Sequence, residues 1–302
     1  MKLLPNHANS SHEYKPNGVN RMQFRIPAFT NSFMDNSRSF LSYDIKTTTT
    51  GANATNDLKI TNTPGGWIQR LVIKSSNGLV LEDISDYNVL KKVLTSMEAE
   101  EDAKIDEGNF IGLGNFGQRH TVAGIQNQYG STYVLKFNTG ILSQHLSSYL
   151  PLHIMDNGSF ALYVELHLAQ DKDVLEYISD DVAPPEGVIG YYVIGNLTFN
   201  LCLVKVDEII CKTYNQIACD EKERVVIPYT TFHSHQSSIS AQNQTVFISD
   251  NCTGLKRVYA VFSAAEGNKP GNSAGANTPA FHFLGSVHDA TNTRLISYNF
   301  QL

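Results

Sequence analysis

The sequence lacks a run of apolar residues approaching the ~20 needed for a membrane helix. It also has no excess of basic charge: 23 Lys and Arg against 29 Asp and Glu give a net charge of −6 over 302 residues. A chain built mainly to grip nucleic acid needs a basic face, so no specific nucleic-acid site is expected. Charged residues are scarce altogether, at 17%. The four cysteines, Cys202, Cys211, Cys219 and Cys252, have no short paired spacing, which excludes a zinc ribbon and a redox Cys-x-x-Cys. Cys202 lies in an apolar alternating run and reads most simply as a buried free thiol. The start, from Met1 to Tyr14, places Pro5, Asn6 and His7 where a secretory leader needs an apolar stretch, so it does not read as one. No Gly-x-Ser-x-Gly nucleophile elbow occurs.

What takes the place of charge is uncharged polarity. Ser, Thr, Asn and Gln make up about 28% of the chain, well above their usual share in globular proteins. Six Asn-x-Ser/Thr sequons, at Asn9, Asn53, Asn157, Asn196, Asn243 and Asn251, are close to what this composition yields by chance, so they say nothing about secretion.

The dominant hydrophobic period is two. Leu41, Tyr43 and Ile45 share one face of a half-buried strand, opposite Ser42, Asp44 and Lys46. A second strand, Trp67 to Lys74, meets Asn77-Gly78, the strongest short hairpin signal, and returns through Leu79 to Glu82. Later strands are expected at Tyr133 to Phe137 and at Leu152 to Ile154. Phe160 to Leu168 should point Phe160, Leu162, Val164, Leu166 and Leu168 inward. Tyr191 to Val206 should bury Leu197, Phe199, Leu201 and Leu203. One helix is expected, capped by Ser85 or Asp86, with Tyr87, Leu90, Val93, Leu94 and Met97 on its apolar face. Residues 47–57 read as a loop, as does the Gly- and Asn-rich stretch 266–280. New strands are expected at 225–229, 245–249, 257–263 and 294–302.

The implied organisation is a flexible polar N-terminal arm over 1–21, a first unit over 22–206, a connector over 207–224 and a second unit over 225–302. Lys2, Lys15, Arg21 and Arg25 give the arm a mild positive bias, read as solvated. About ten strands, long loops and one or two short helices make this an all-β protein, an antiparallel sandwich with Greek-key or jelly-roll wiring. A parallel α/β enzyme would need a helix after nearly every strand.

Chemistry-bearing constellations are few. Gly112-Leu113-Gly114-Asn115-Phe116-Gly117 matches a dinucleotide fingerprint as a string, but no strand precedes it and no helix follows, so it reads as a loop. His233-Ser234-His235 could place two imidazoles on one face of a strand, with Asp220, Glu221 or Glu223 as a third ligand that nothing in the spacing selects. A surface pair is the plainer reading. Isolated His153 and His167 read as hydrogen-bonded structural residues. A glycosidase pair could only be drawn from Glu165 with Asp171 or Asp173. No catalytic, cofactor or metal residue is assigned, and the chain does not read as an enzyme.

Several segments together resemble the double jelly-roll, hexon-like major capsid proteins of eukaryotic double-stranded DNA viruses and of polinton- and adintovirus-like elements. The likeness runs through Phe24-Arg25-Ile26-Pro27, Ser39-Phe40-Leu41-Ser42-Tyr43-Asp44, Gly65-Gly66-Trp67-Ile68-Gln69-Arg70-Leu71-Val72-Ile73, Asn77-Gly78 and Leu81-Glu82-Asp83-Ile84. It returns in Val226-Ile227-Pro228-Tyr229 and Leu295-Ile296-Ser297-Tyr298-Asn299-Phe300-Gln301-Leu302. The resemblance implies two jelly rolls side by side and a homotrimer forming a pseudo-hexagonal capsomer. That capsomer would meet neighbouring capsomers and penton or minor capsid proteins in a virion assembled inside the host cell. It implies no cofactor and no catalytic residue. In the family, further strands usually follow a segment like the last one here, so the second roll reads as incomplete at Leu302. Low charge and abundant hydroxyl and amide groups suit subunits that meet through broad neutral faces. The same traits suit a carbohydrate-binding jelly roll of lectin or adhesin type, which would want an exposed aromatic that Trp67, at the start of an apolar strand, does not supply.

Overall fold

Alternation in the sequence becomes alternation across two facing sheets. The computed structural model describes residues 1–6, 13–50, 57–60, 65–98, 121–122, 132–146, 148–155, 161–178, 189–219, 225–237, 245–248 and 254–260. In chain order the elements begin with β1 (Lys2–Leu3), β2 (Glu13–Tyr14), β3 (Arg21–Ile26), β4 (Ser32–Thr50), β5 (Asp57–Ile60), β6 (Ile68–Ser75) and β7 (Val80–Ile84). Helix α1 (Tyr87–Glu98), β8 (Thr121–Val122), β9 (Thr132–Leu135), β10 (Leu162–Leu168) and a single-turn helix α2 (Asp171–Val174) follow. The series ends with β11 (Leu175–Ile178), β12 (Ile189–Lys205) and α3 (Glu208–Cys219).

The pairing is nested. Strands β1 and β2 pair with β12, β3 with β10, β4 with β9, and β6 with β7, every pair antiparallel. This is one long hairpin folded over on itself, which is the wiring of a jelly roll. The roll closes as two sheets, one in the order β1-β12-β4-β9 with β2 also on β12, the other β3-β10-β6-β7. A small third sheet, β11-β5-β8, extends from the loops. The fold is an all-β jelly-roll sandwich.

The core lies between the two large sheets. Phe24 from one sheet meets Phe199 from the other edge-on at 5.8 Å, and Phe137 meets the same ring at 5.8 Å. Trp67 is buried against Tyr43, 5.0 Å between ring centres. Leu162, Val164, Leu166 and Leu168 all point inward, as do Leu41, Tyr43, Ile45, Leu197, Phe199 and Leu201. Each such side chain contributes about 1.5–3 kcal/mol by leaving water. Gly78 takes φ +85° in the expected Asn77-Gly78 turn, joining β6 to β7.

Several expectations are corrected. Thr47–Thr50, read as loop, continue β4 and pair with Ile189–Tyr192 of β12; threonine is among the residue types enriched in strands although it is polar. Residues 152–154 form a 3₁₀ turn instead of a strand, after Pro151 at φ −79°. The connector contains α3, whose first turn is capped by Asp207 Oδ1, accepting the Ile209 N–H at 2.8 Å. Cys211 of that helix is a buried free thiol, and Cys202 is a free thiol only half-buried. Within the expected flexible arm, β1, β2 and buried Tyr14 are held on the sheet. The described residues of 225–260 form no strand. The strand expected at 294–302, the loop at 266–280 and the Gly112–Gly117 string lie outside the described residues.

Candidate assembly walls and a buried carboxyl joint

A sandwich has two outer walls, and here they differ chemically. On the four-stranded sheet the register sets Tyr163 between Arg25 and Lys74, Glu165 between Gln23 and Val72, and His167 between Arg21 and Arg70. Glu165 Oε1 accepts from Arg21 Nη2 at 2.7 Å, Gln23 Nε2 at 3.0 Å and Lys74 Nζ at 3.2 Å. Burial alone would raise the Glu165 carboxyl, but the hydrogen bonds and positive charge of Arg21 and Lys74 overcome it and hold it below the usual range. Arg70 grips Asp83 with two nitrogens, at 2.7 and 2.5 Å, which lowers the Asp83 carboxyl. His167 is pushed down by burial and then by the neighbouring Arg21 and Arg70. Arg25 lies over the Tyr163 ring at 5.6 Å.

The other wall is a lattice of hydroxyls and amides. Ser42 Oγ and Thr198 Oγ1 are 2.7 Å apart across β4 and β12, and Asn200 Nδ2 donates to both, at 3.1 and 3.3 Å. Asp44 accepts from Thr132 Oγ1 and from Asn196 Nδ2, each at 2.6 Å. Asn196 takes φ +50° where the register of β12 shifts. Lys46 and Glu13 pair at 2.8 Å nearby.

The third feature is a joint. Glu82 lies on β7 in the inward phase, beside Ile84, and is 2% exposed. Its Oε1 accepts the Thr231 hydroxyl at 2.9 Å, while Oε2 is buried without a hydrogen-bond partner. The Tyr87 hydroxyl is also buried and unpartnered, and the Thr139 hydroxyl is buried beside the carboxyl. Gly140 sits so close that a Cβ there would stand 1.7 Å from Glu82 Oε2, and its φ is +66°. Two more bonds tie the segment 225–232, a strap across this end of the roll, to the same place: Gly140 N–H donates to the Thr230 carbonyl at 2.9 Å, and Tyr229 Oη to the Leu81 carbonyl at 3.1 Å. Burial pushes the Glu82 carboxyl up to about 7, with the Thr231 and Thr139 hydroxyls working in the opposite direction. Ile227 and Phe232 of the strap pack against the core.

Residues singled out from the sequence do not gather into a catalytic group. Asp171 accepts the Tyr192 N–H at 3.0 Å and belongs to the packing of α2 on β12, whereas Glu165 is engaged by its three donors on the outer wall. His233 and His235 are exposed on a segment without strand structure, not on a strand face. No group of three His, Cys, Asp or Glu side chains suited to a metal occurs among the described residues. His153 stacks on Phe33 at 5.2 Å, and burial lowers its imidazole. Sequence reasoning missed Glu82; its one signal was a carboxylate on the inward phase of a hairpin strand.

No protein-family model matches the chain, and no curated protein matches it. Among solved structures it is similar to the mavirus major capsid protein, with a TM-score of 0.35 and 14% identity, over 68% of this chain and 46% of that one. The chain therefore spans less than half the length of that protein.

Proposed function

We propose that this chain is a structural subunit of a viral shell: a major capsid protein that assembles as trimers and then with neighbouring capsomers in the virion. In this reading 22–206 is the first roll, and 225–302 belongs to a second roll beside it. The observation that carries the reading is the apolar string after α3. Val226, Val246, Phe247, Ile248, Leu255 and Val258 are exposed, Phe247 at 93%. Exposed apolar side chains gathered in one segment mark a contact surface, and in this reading a neighbouring copy of the same protein covers them. The two polar walls support it too, because among the described residues their charges are largely paired across strands instead of standing as a like-charged face that would keep copies apart.

The test is sedimentation of the purified full chain with negative-stain imaging. Trimers or larger triangular particles are expected. A single species of 33.5 kDa in dilute, non-denaturing buffer would overturn the proposal.

A further inference from the structure

We propose that Glu82 is a proton-operated latch: with its carboxyl protonated it holds the strap at residues 225–232 on the jelly roll, and ionisation releases the strap. This goes beyond the assembly reading and does not depend on it.

The geometry makes docking and protonation one event. The carboxyl is enclosed by Gly140 on one side and by Thr231 on the other, with one oxygen unpartnered. An ionised carboxylate there would bury charge beside neutral hydroxyls, those of Thr231 and Thr139, which costs far more than burying the neutral acid. Lifting the strap removes Thr231 and opens the group to water, where ionisation costs nothing unusual. The docked state therefore binds the proton more tightly, and docking weakens as pH rises from the ordinary carboxyl range through about 7.

Other charged groups face the joint. Helix α1 brings Tyr87 and Lys91, the latter donating to Asn138 Oδ1 at 3.1 Å. Asp86, just before α1, accepts from Gln236 at 2.8 Å. The strap itself carries Tyr229, and His233 and His235 follow it. Lys256 donates to Thr230 Oγ1 at 2.9 Å. From β6 the facing residue is Ile73, and Asp83 with Arg70 occupies the opposite wall. The two histidines are ionisable groups beside the strap, so the test must separate them from Glu82.

Hydrogen exchange of the full chain does so, read at the Gly140 amide and across 225–232 after correction for intrinsic rates. Between about pH 5.5 and pH 8, protection in the wild type should fall on the order of tenfold. Glu82→Gln, a neutral isostere, should remain docked and flat over this range, while His233→Gln with His235→Gln should keep the fall. Thr231→Val keeps the carboxyl but removes its donor, so the midpoint should move to higher pH. Flat wild-type protection, an equal fall in Glu82→Gln, loss of the fall in the histidine double variant, or a Thr231→Val midpoint that stays or drops would each overturn the latch. Should Glu82→Gln lose protection at Ile73 and Leu166 as well, it has unfolded, and the Thr231→Val midpoint decides.

Discussion

Two glutamates on the same sheet are almost equally buried, Glu165 at 4% exposed and Glu82 at 2%, yet their carboxyls are pushed in opposite directions. Glu165 faces the outer wall, where strands β3 and β6 deliver an arginine, a lysine and a glutamine amide to one oxygen. Glu82 faces inward and is offered hydroxyls and a glycine. Depth of burial thus does not decide the charge of a carboxyl; the neighbours delivered by register and tertiary contact do. The consequences for pH have opposite signs. Glu165, with its folded value depressed, contributes stability above the ordinary carboxyl range that is lost as pH falls. Glu82, with its folded value raised to about 7, contributes stability that is full below the ordinary range and lost as pH rises through 7.

The harshest way to break the comparison is to add a third carboxyl on β10 with neither kind of company. Leu166 is fully buried one residue from Glu165, on the opposite face. Leu166→Asp should cost more than about 4 kcal/mol and abolish cooperative urea unfolding, because the charge meets only apolar neighbours. A cooperative transition near that of the wild type would show that the inward face of β10 is wrongly assigned.

Next in size is Gly140→Ala. A methyl at φ +66° is strained by itself, and here it must also displace the Glu82 carboxyl. A loss of about 2–4 kcal/mol is expected by denaturant titration. In the Glu82→Ala background the steric part should vanish, leaving only the backbone part. An unchanged penalty in that background would separate Gly140 from Glu82 and leave the joint without its tightest contact.

These positions show how far the sequence could be read. The inward sets on β4, β10 and β12 follow from a period of two, which is local information, and so does the hairpin at Asn77-Gly78. Helix α1 was legible from its apolar spacing. Helix α3 was not, because its charges and exposed Ile209 and Ile210 blur the apolar stripe. The states of Glu82 and Glu165 were hidden for a different reason. Their deciding partners, Thr231 and Arg21, stand 149 and 144 residues away in the chain. Nothing near either glutamate in sequence announces them, since pairing partners are chosen by the nested hairpin and not by proximity.

The gentlest test removes one cation from Glu165. Arg21 is 52% exposed at its side chain, and Lys74 and Gln23 remain to serve the same oxygen. Arg21→Met keeps the apolar stem, so the change isolates charge and hydrogen bond from packing. A loss of about 1–2 kcal/mol at neutral pH is expected, between the small value of an exposed pair and the large one of a buried pair. Because the interaction needs an ionised Glu165, the gap between variant and wild type should close as pH falls through the depressed value of that carboxyl. His167, which Arg21 helps hold down, should become easier to protonate in the same variant. A gap that stays constant as pH falls would mean that Arg21 does not act through the ionised Glu165, and the contrast with Glu82 would then rest on Lys74 and Gln23 alone.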